Sequence, residues 1–140
     1  MTTMMRHLGR LFTGSLVVTL LLAGCGGPQA VTATLTDTAI QVSSNSAPAG
    51  PITFHITNTS ASELHEFVII RTDLKANQLP LDANGNVAED KLSSPGEKGD
   101  IAAGQGGDLT ITLPAGRYMF ICNQPGHFQV GMYTEFTVTS

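Results

Sequence analysis

The chain has 140 residues, 41% of them hydrophobic and 13% charged, with a formal net charge of −4. That length suits one domain around a single core and leaves no room for two of ordinary size. The acidic balance argues against nucleic acid as a partner and favours a basic protein surface.

The first 24 residues read as a leader. Arg6 and Arg10 make a positive start, and Leu11 to Ala23 is an apolar stretch too short to span a bilayer comfortably. It ends in Leu22-Ala23-Gly24-Cys25, which resembles the lipobox of bacterial lipoproteins. The resemblance implies cleavage after residue 24, a lipid on Cys25 and an extracytoplasmic, membrane-anchored protein. A plain secretory signal is the alternative, and it exports the chain equally. The remaining 116 residues, Cys25 to Ser140, carry five basic and eleven acidic side chains, a net −6 with histidine neutral. Residues 25–30 form the anchor and a short Gly/Pro tether, and 31–140 form the domain. A lipidated Cys25 leaves Cys122 without an intrachain disulfide partner. An unpaired thiol in an exported protein needs a reason.

The domain reads as short strands between turn residues. Val31–Leu35 and Ile40–Val42 alternate, and Asn45–Pro51 is a turn region. Ile52–Thr57 alternates most clearly, with Ile52, Phe54 and Ile56 facing in and Thr53, His55 and Thr57 facing out. Phe67–Ile70 is a continuous apolar run. Thr72–Gly99, with Pro80, Gly85, Pro95 and Gly96, reads as one long loop with a short helical turn near Asp73–Leu79. Asp108–Leu113, Arg117–Ile121 and Tyr133–Val138 complete the set. This pattern predicts an all-β, antiparallel Greek-key β-sandwich with one long loop insertion.

Chemistry concentrates in Cys122-Asn-Gln-Pro-Gly-His127-Phe-Gln-Val-Gly-Met132, with His65 upstream. One thiolate, two imidazoles and a thioether form the donor set of a blue-copper electron-transfer site. Cys122 lies where a strand runs out, and Pro125-Gly126 supplies a turn that brings His127 back toward it. Met132 is a soft, weak donor that favours Cu(I). Each residue type also has a plainer reading. A free cysteine is often a buried inert thiol, Met119 reads as core, and His55 faces solvent by strand parity. Structural zinc prefers four strong ligands, and Met132 is a poor fourth. A binuclear copper centre needs a second cysteine in the loop. A Cys–His nucleophile pair lacks an orienting third group, so no enzyme activity is expected.

The same residues resemble the cupredoxins, the small blue-copper proteins. The Cys-x4-His-x4-Met spacing is most like the rusticyanin and sulfocyanin members, and the segment Tyr118–Tyr133 follows the family's C-terminal pattern. The segment Ile52–Ile70 resembles the strand–loop–strand that carries the N-terminal histidine ligand. The resemblance implies one type 1 copper per chain, with His65, Cys122 and His127 as equatorial ligands and Met132 axial. It also implies electron exchange near His127, where Phe128, Val130 and Tyr133 would form an exposed docking patch. The partner would be a cytochrome, an oxidase or a photosynthetic reaction centre. One position departs from the better-known members, which often carry Asn or Ser after the N-terminal histidine. Here it is Glu66: facing the loop, its carboxylate would accept backbone N–H groups beside Cys122 and lower the reduction potential, and Glu66 and Asn123 are both expected to surround the ligands without binding the metal. Copper delivery, storage or sensing is the alternative function, although Met119 and Met132 are the only methionines after the leader. A cupredoxin fold without metal, serving as an interaction module, is a third possibility.

Overall fold

The computed structural model describes residues 27–140. The expected leader and Cys25 lie outside the described residues. Nine strands follow in chain order: β1 (Gln29–Thr36), β2 (Ala39–Val42), β3 (Ser46–Pro48), β4 (Gly50–Asn58), β5 (His65–Arg71), β6 (Ser93–Ile101), β7 (Gly106–Leu113), β8 (Gly116–Ile121) and β9 (Tyr133–Thr139). They form two sheets, ordered β2-β1-β4-β7 and β3-β9-β8-β5-β6. β1 begins at Gln29, so the last two residues of the expected tether are already strand.

The sandwich is mixed rather than wholly antiparallel. β1 runs parallel to β4 and β3 parallel to β9; the other pairings are antiparallel. The cause is a sheet change. After β2 the chain adds β3 to the second sheet, then returns as β4 running the same way as β1. The Asn45–Pro51 turn region therefore contains a three-residue strand.

The alternation in β4 places Ile52, Phe54 and Ile56 inside, with His55 and Thr57 exposed. Phe54 sits 5.4, 5.1 and 5.9 Å, ring centre to centre, from Phe67, Phe120 and Phe136 of the opposing sheet. Aromatic rings at these separations and tilts gain quadrupole attraction beyond their area burial. Exposed His55 pairs with Asp108 across β4 and β7 at 2.7 Å.

The apolar run in β5 has a different origin. Phe67 and Ile69 face this core, whereas Val68 and Ile70 face a second one. That second core also holds Leu79, Val87, Met119, Ile121 and Phe128. It lies where the chain from Thr72 to Leu92 covers the outer side of β5 and β8. A strand buried on both faces loses its alternation.

The expected long loop is only partly irregular. It contains 3-10 turns at Ala76–Gln78 and Glu89–Lys91 and a bridge between Leu81 and Val87, and it ends in β6. β6 escapes a reading by alternation because it is an edge strand. Its Ser-Ser-Pro-Gly-Glu-Lys-Gly-Asp sequence is mostly exposed, and Pro and charge are tolerated at an edge.

Replacing Phe54 by Ala is expected to cost about 3–5 kcal/mol of stability. Urea unfolding would show this as a lower midpoint at unchanged slope. A loss under about 1 kcal/mol would mean that the four-ring cluster does not carry the core.

Candidate metal centre

Two neighbouring strands meet the same end of the sandwich. β5 starts at His65, and β8, its antiparallel partner, ends at Ile121, just before Cys122. Side-by-side pairing thus sets His65 beside Cys122. Asn58, buried at the end of β4, fixes the loop leading into β5. Its amide donates to the carbonyls of Glu63 and Ile101, both at 2.8 Å, and its Oδ1 accepts the Ser60 N–H. The bonds to Ile101 and Ser60 are buried and the one to Glu63 is part-buried, so Asn58 holds His65's approach from two directions. Its signal in the sequence was one polar residue ending a run of alternating apolar positions.

The loop from Cys122 to Met132 closes on itself. The N–H of Cys122 donates to the Met132 carbonyl (3.0 Å), and the N–H of Met132 donates to the His127 carbonyl (3.1 Å). The turn before His127 is closed by its N–H donating to Gln124 O at 2.9 Å. Gly126 occupies the third turn position at φ 83°, a left-handed conformation that follows Pro and favours glycine. The expected turn is present.

Three donor atoms converge as a result. His65 Nδ1 and His127 Nδ1 lie 3.1 Å apart, and Cys122 Sγ is 3.8 and 3.5 Å from them. A point in their plane lies about 2.0 Å from all three, close to metal–nitrogen and metal–sulfur bond lengths. His65 and Cys122 are fully buried and His127 is half-buried. Among the described residues this is the one group of three or more such ligands close enough to share an ion. Met132 is fully buried in the same core cluster as Cys122. The donor set suits copper better than zinc, with two imidazoles and one thiolate converging and a soft thioether on the same loop.

The electrostatics fit a cation at that point. Burial pushes the Cys122 thiol up, and the backbone N–H groups of Glu66 and Gln124 oppose this by pointing at sulfur. The Glu66 N–H lies 3.4 Å from Sγ. Burial and then His127 lower the affinity of His65 for a proton, while Asp37 acts the other way. A metal ligand must be an unprotonated imidazole, and the first two effects favour that form. Glu66 is raised chiefly by burial and next by Glu89, while the Asn123 N–H draws it down.

Asn123 has a further task that the sequence did not disclose. Its Oδ1 accepts the Val87 N–H (2.8 Å), and its Nδ2 donates to Val87 O (2.9 Å) and Glu89 Oε1 (2.7 Å). Gln129 Nε2 donates to Gly85 O at 2.9 Å. The Thr72–Leu92 excursion is thus tied to the metal loop. This corrects the expectation for Phe128. It is only 8% exposed, since its ring is packed among Leu79, Val87 and Ile121 under the excursion. Val130 (58%) and Tyr133 (40%) are exposed as expected, joined by Leu81 (45%) from the excursion.

No protein-family model and no curated protein matches the sequence. Solved structures do match its fold. The dithionite-reduced auracyanin of the photosynthetic bacterium Roseiflexus castenholzii superposes with TM-score 0.63 at 23% identity, covering 82% of this chain and 100% of its own. Auracyanin A, a "blue" copper protein of the green thermophilic photosynthetic bacterium Chloroflexus aurantiacus, gives 0.58 at 23%, covering 81% and 100%. Rusticyanin of Thiobacillus ferrooxidans gives 0.60 at 18%, covering 81% and 79%. The fold is therefore that of the cupredoxins, as the loop motif implied.

Asn123→Ala removes the partner of a part-buried N–H and the tie to Glu89. A stability loss of about 1–3 kcal/mol is expected, measured by urea unfolding of the metal-free protein. Unchanged stability would mean that the excursion is not held through this side chain.

Proposed function

We propose that the protein holds one type 1 copper ion between His65, Cys122 and His127, with Met132 as a weak fourth donor, and carries single electrons between redox proteins. The observation that carries this reading is the convergence of the three donor atoms at 3.1–3.8 Å inside a loop closed by its own backbone. When bound, copper supplies a Cu(II)/Cu(I) couple that accepts and returns one electron. The chain's own part is to keep the donors still. His65 is held by β5, Cys122 by the end of β8, and His127 by the Gln124–His127 turn. Burial keeps water from Cys122 and His65, and the two N–H groups at sulfur favour the thiolate. A cage that need not rearrange favours fast exchange.

Electron exchange is assigned to the partly exposed His127. Beside it, Val130, Tyr133 and Leu81 give an apolar surface, and Glu66, whose carboxyl feels Glu89, Glu97 and Asp100, marks an acidic flank. A redox partner with an apolar contact fringed by basic residues fits that combination. A cytochrome, an oxidase or a reaction centre could supply it. No helix among the described residues is long and apolar enough to cross a membrane. Attachment to a bacterial membrane, on its extracytoplasmic side, is assigned to lipid on Cys25, supported by the lipobox-like sequence.

Adding Cu(II) is expected to give an intense visible charge-transfer band that Cys122→Ser abolishes. A colourless wild type, or a band indifferent to Cys122, would move copper delivery or a metal-free role to the front. Met132→Gln should keep copper and lower the reduction potential; an unchanged potential would remove Met132 from the donor set. Glu66→Gln should raise the potential, because a nearby negative charge favours Cu(II). Cys25→Ser should shift the protein from the membrane fraction to the soluble fraction. Persistent membrane association would rule out the anchor.

A further inference from the structure

His65 uses one ring nitrogen in the donor cluster, and the other has no assigned role. Its Nε2 is the one buried side-chain nitrogen or oxygen among the described residues that makes no hydrogen bond. Buried polar atoms are rarely left so, because an unmade bond costs about 1–3 kcal/mol. The nearest acidic group is the Asp37 carboxylate, with Oδ1 at 3.7 Å from Nε2. Asp37 lies in the turn between β1 and β2, in the other sheet from His65.

That turn is set firmly against the site. The Thr36 hydroxyl donates to the Ala39 carbonyl at 3.2 Å and closes it. The Thr38 carbonyl lies over Gly131, where an added Cβ would meet it at 3.1 Å and where φ is 111°. The positive φ favours glycine there, and a side chain would also crowd the Thr38 carbonyl. The turn therefore reaches both His65 and the residue before Met132.

We propose that Asp37 is a positioning residue for His65: its carboxylate takes the Nε2–H and leaves the Nδ1 lone pair facing Cys122 and His127. Histidines that bind metals commonly donate their second N–H to a carboxylate, carbonyl or water, which fixes tautomer and ring angle and strengthens the donor. A carboxylate is the strongest of these acceptors and adds negative charge, so it favours Cu(II) and lowers the potential. The 3.7 Å separation exceeds a direct hydrogen bond, but a shift of about half an ångström closes it. The Asp37 side chain is mostly exposed and free to make that movement.

The assignment rests on the copper reading for its effect on potential but not for the hydrogen bond itself. Two measurements separate them. In the metal-free protein, nitrogen-detected NMR should show His65 as the Nε2–H tautomer, with Nδ1 unprotonated. Its Nε2–H should exchange slowly with solvent, and about tenfold or more faster in Asp37→Ala, the change expected from losing one charge-assisted bond. In the copper-loaded protein, Asp37→Ala and Asp37→Asn should both raise the reduction potential. Asp108→Asn, which removes the same charge beside His55, should leave it unchanged. A proton on Nδ1 rather than Nε2, or exchange indifferent to Asp37, would overturn the proposal whether or not copper binds. A potential that moves equally in Asp108→Asn would reduce the effect on potential to general surface charge. Slow, Asp37-dependent exchange in a protein that forms no copper band would keep the hydrogen bond and discard the copper reading alone.

Discussion

Three groups that accept a metal are pressed together at one end of this sandwich: two imidazole nitrogens 3.1 Å apart and a thiol sulfur within 3.8 Å of both. Without a cation these groups are joined only by shared protons, between the two Nδ1 atoms and between sulfur and either ring. Burial works against the thiolate and against the imidazolium alike. A single metal ion relieves each of these costs at once, and most of the architecture around the cluster serves to keep the donors from spreading apart.

The restraint comes from three directions. Strand pairing fixes His65 and Cys122, because β5 begins and β8 ends at the same edge of one sheet. The loop from Cys122 to Met132 is closed by its own backbone bonds. Outside the loop, the β1–β2 turn presses on Gly131 from one side, while the excursion grips Asn123, Gln129 and Phe128 from another. The excursion thus adds a second small core whose members include a residue of the metal loop. The same burial that strengthens this side removes Phe128 from the surface. Val130 and Tyr133 stay exposed, as does Leu81 of the excursion itself.

The approach of Cys122 and His127 was legible in the sequence, since the two are close in the chain and their residue types name their chemistry. The strands with one buried face were legible too, because alternation is a local signal. Long-range relations were harder to read. β6 was hidden because an exposed edge strand has no buried face to impose a pattern. The parallel pairings follow from where the chain changes sheets, which no local signal reports. Asn58, Asn123 and Asp37 each act on a residue far away in sequence, and a single polar side chain looks the same whether it meets water or a distant backbone. Phe128 was misread as exposed because its covering segment, more than 35 residues earlier, had itself been read as an open loop.

The most direct test of a preformed cage is X-ray absorption at the copper edge, recorded on the oxidised and the reduced protein. Both states should show one sulfur and two imidazole nitrogens as the short-range donors, with bond lengths that change little on reduction. Loss of an imidazole on reduction, or oxygen donors replacing sulfur in the oxidised form, would contradict a rigid His65–Cys122–His127 site built for electron transfer.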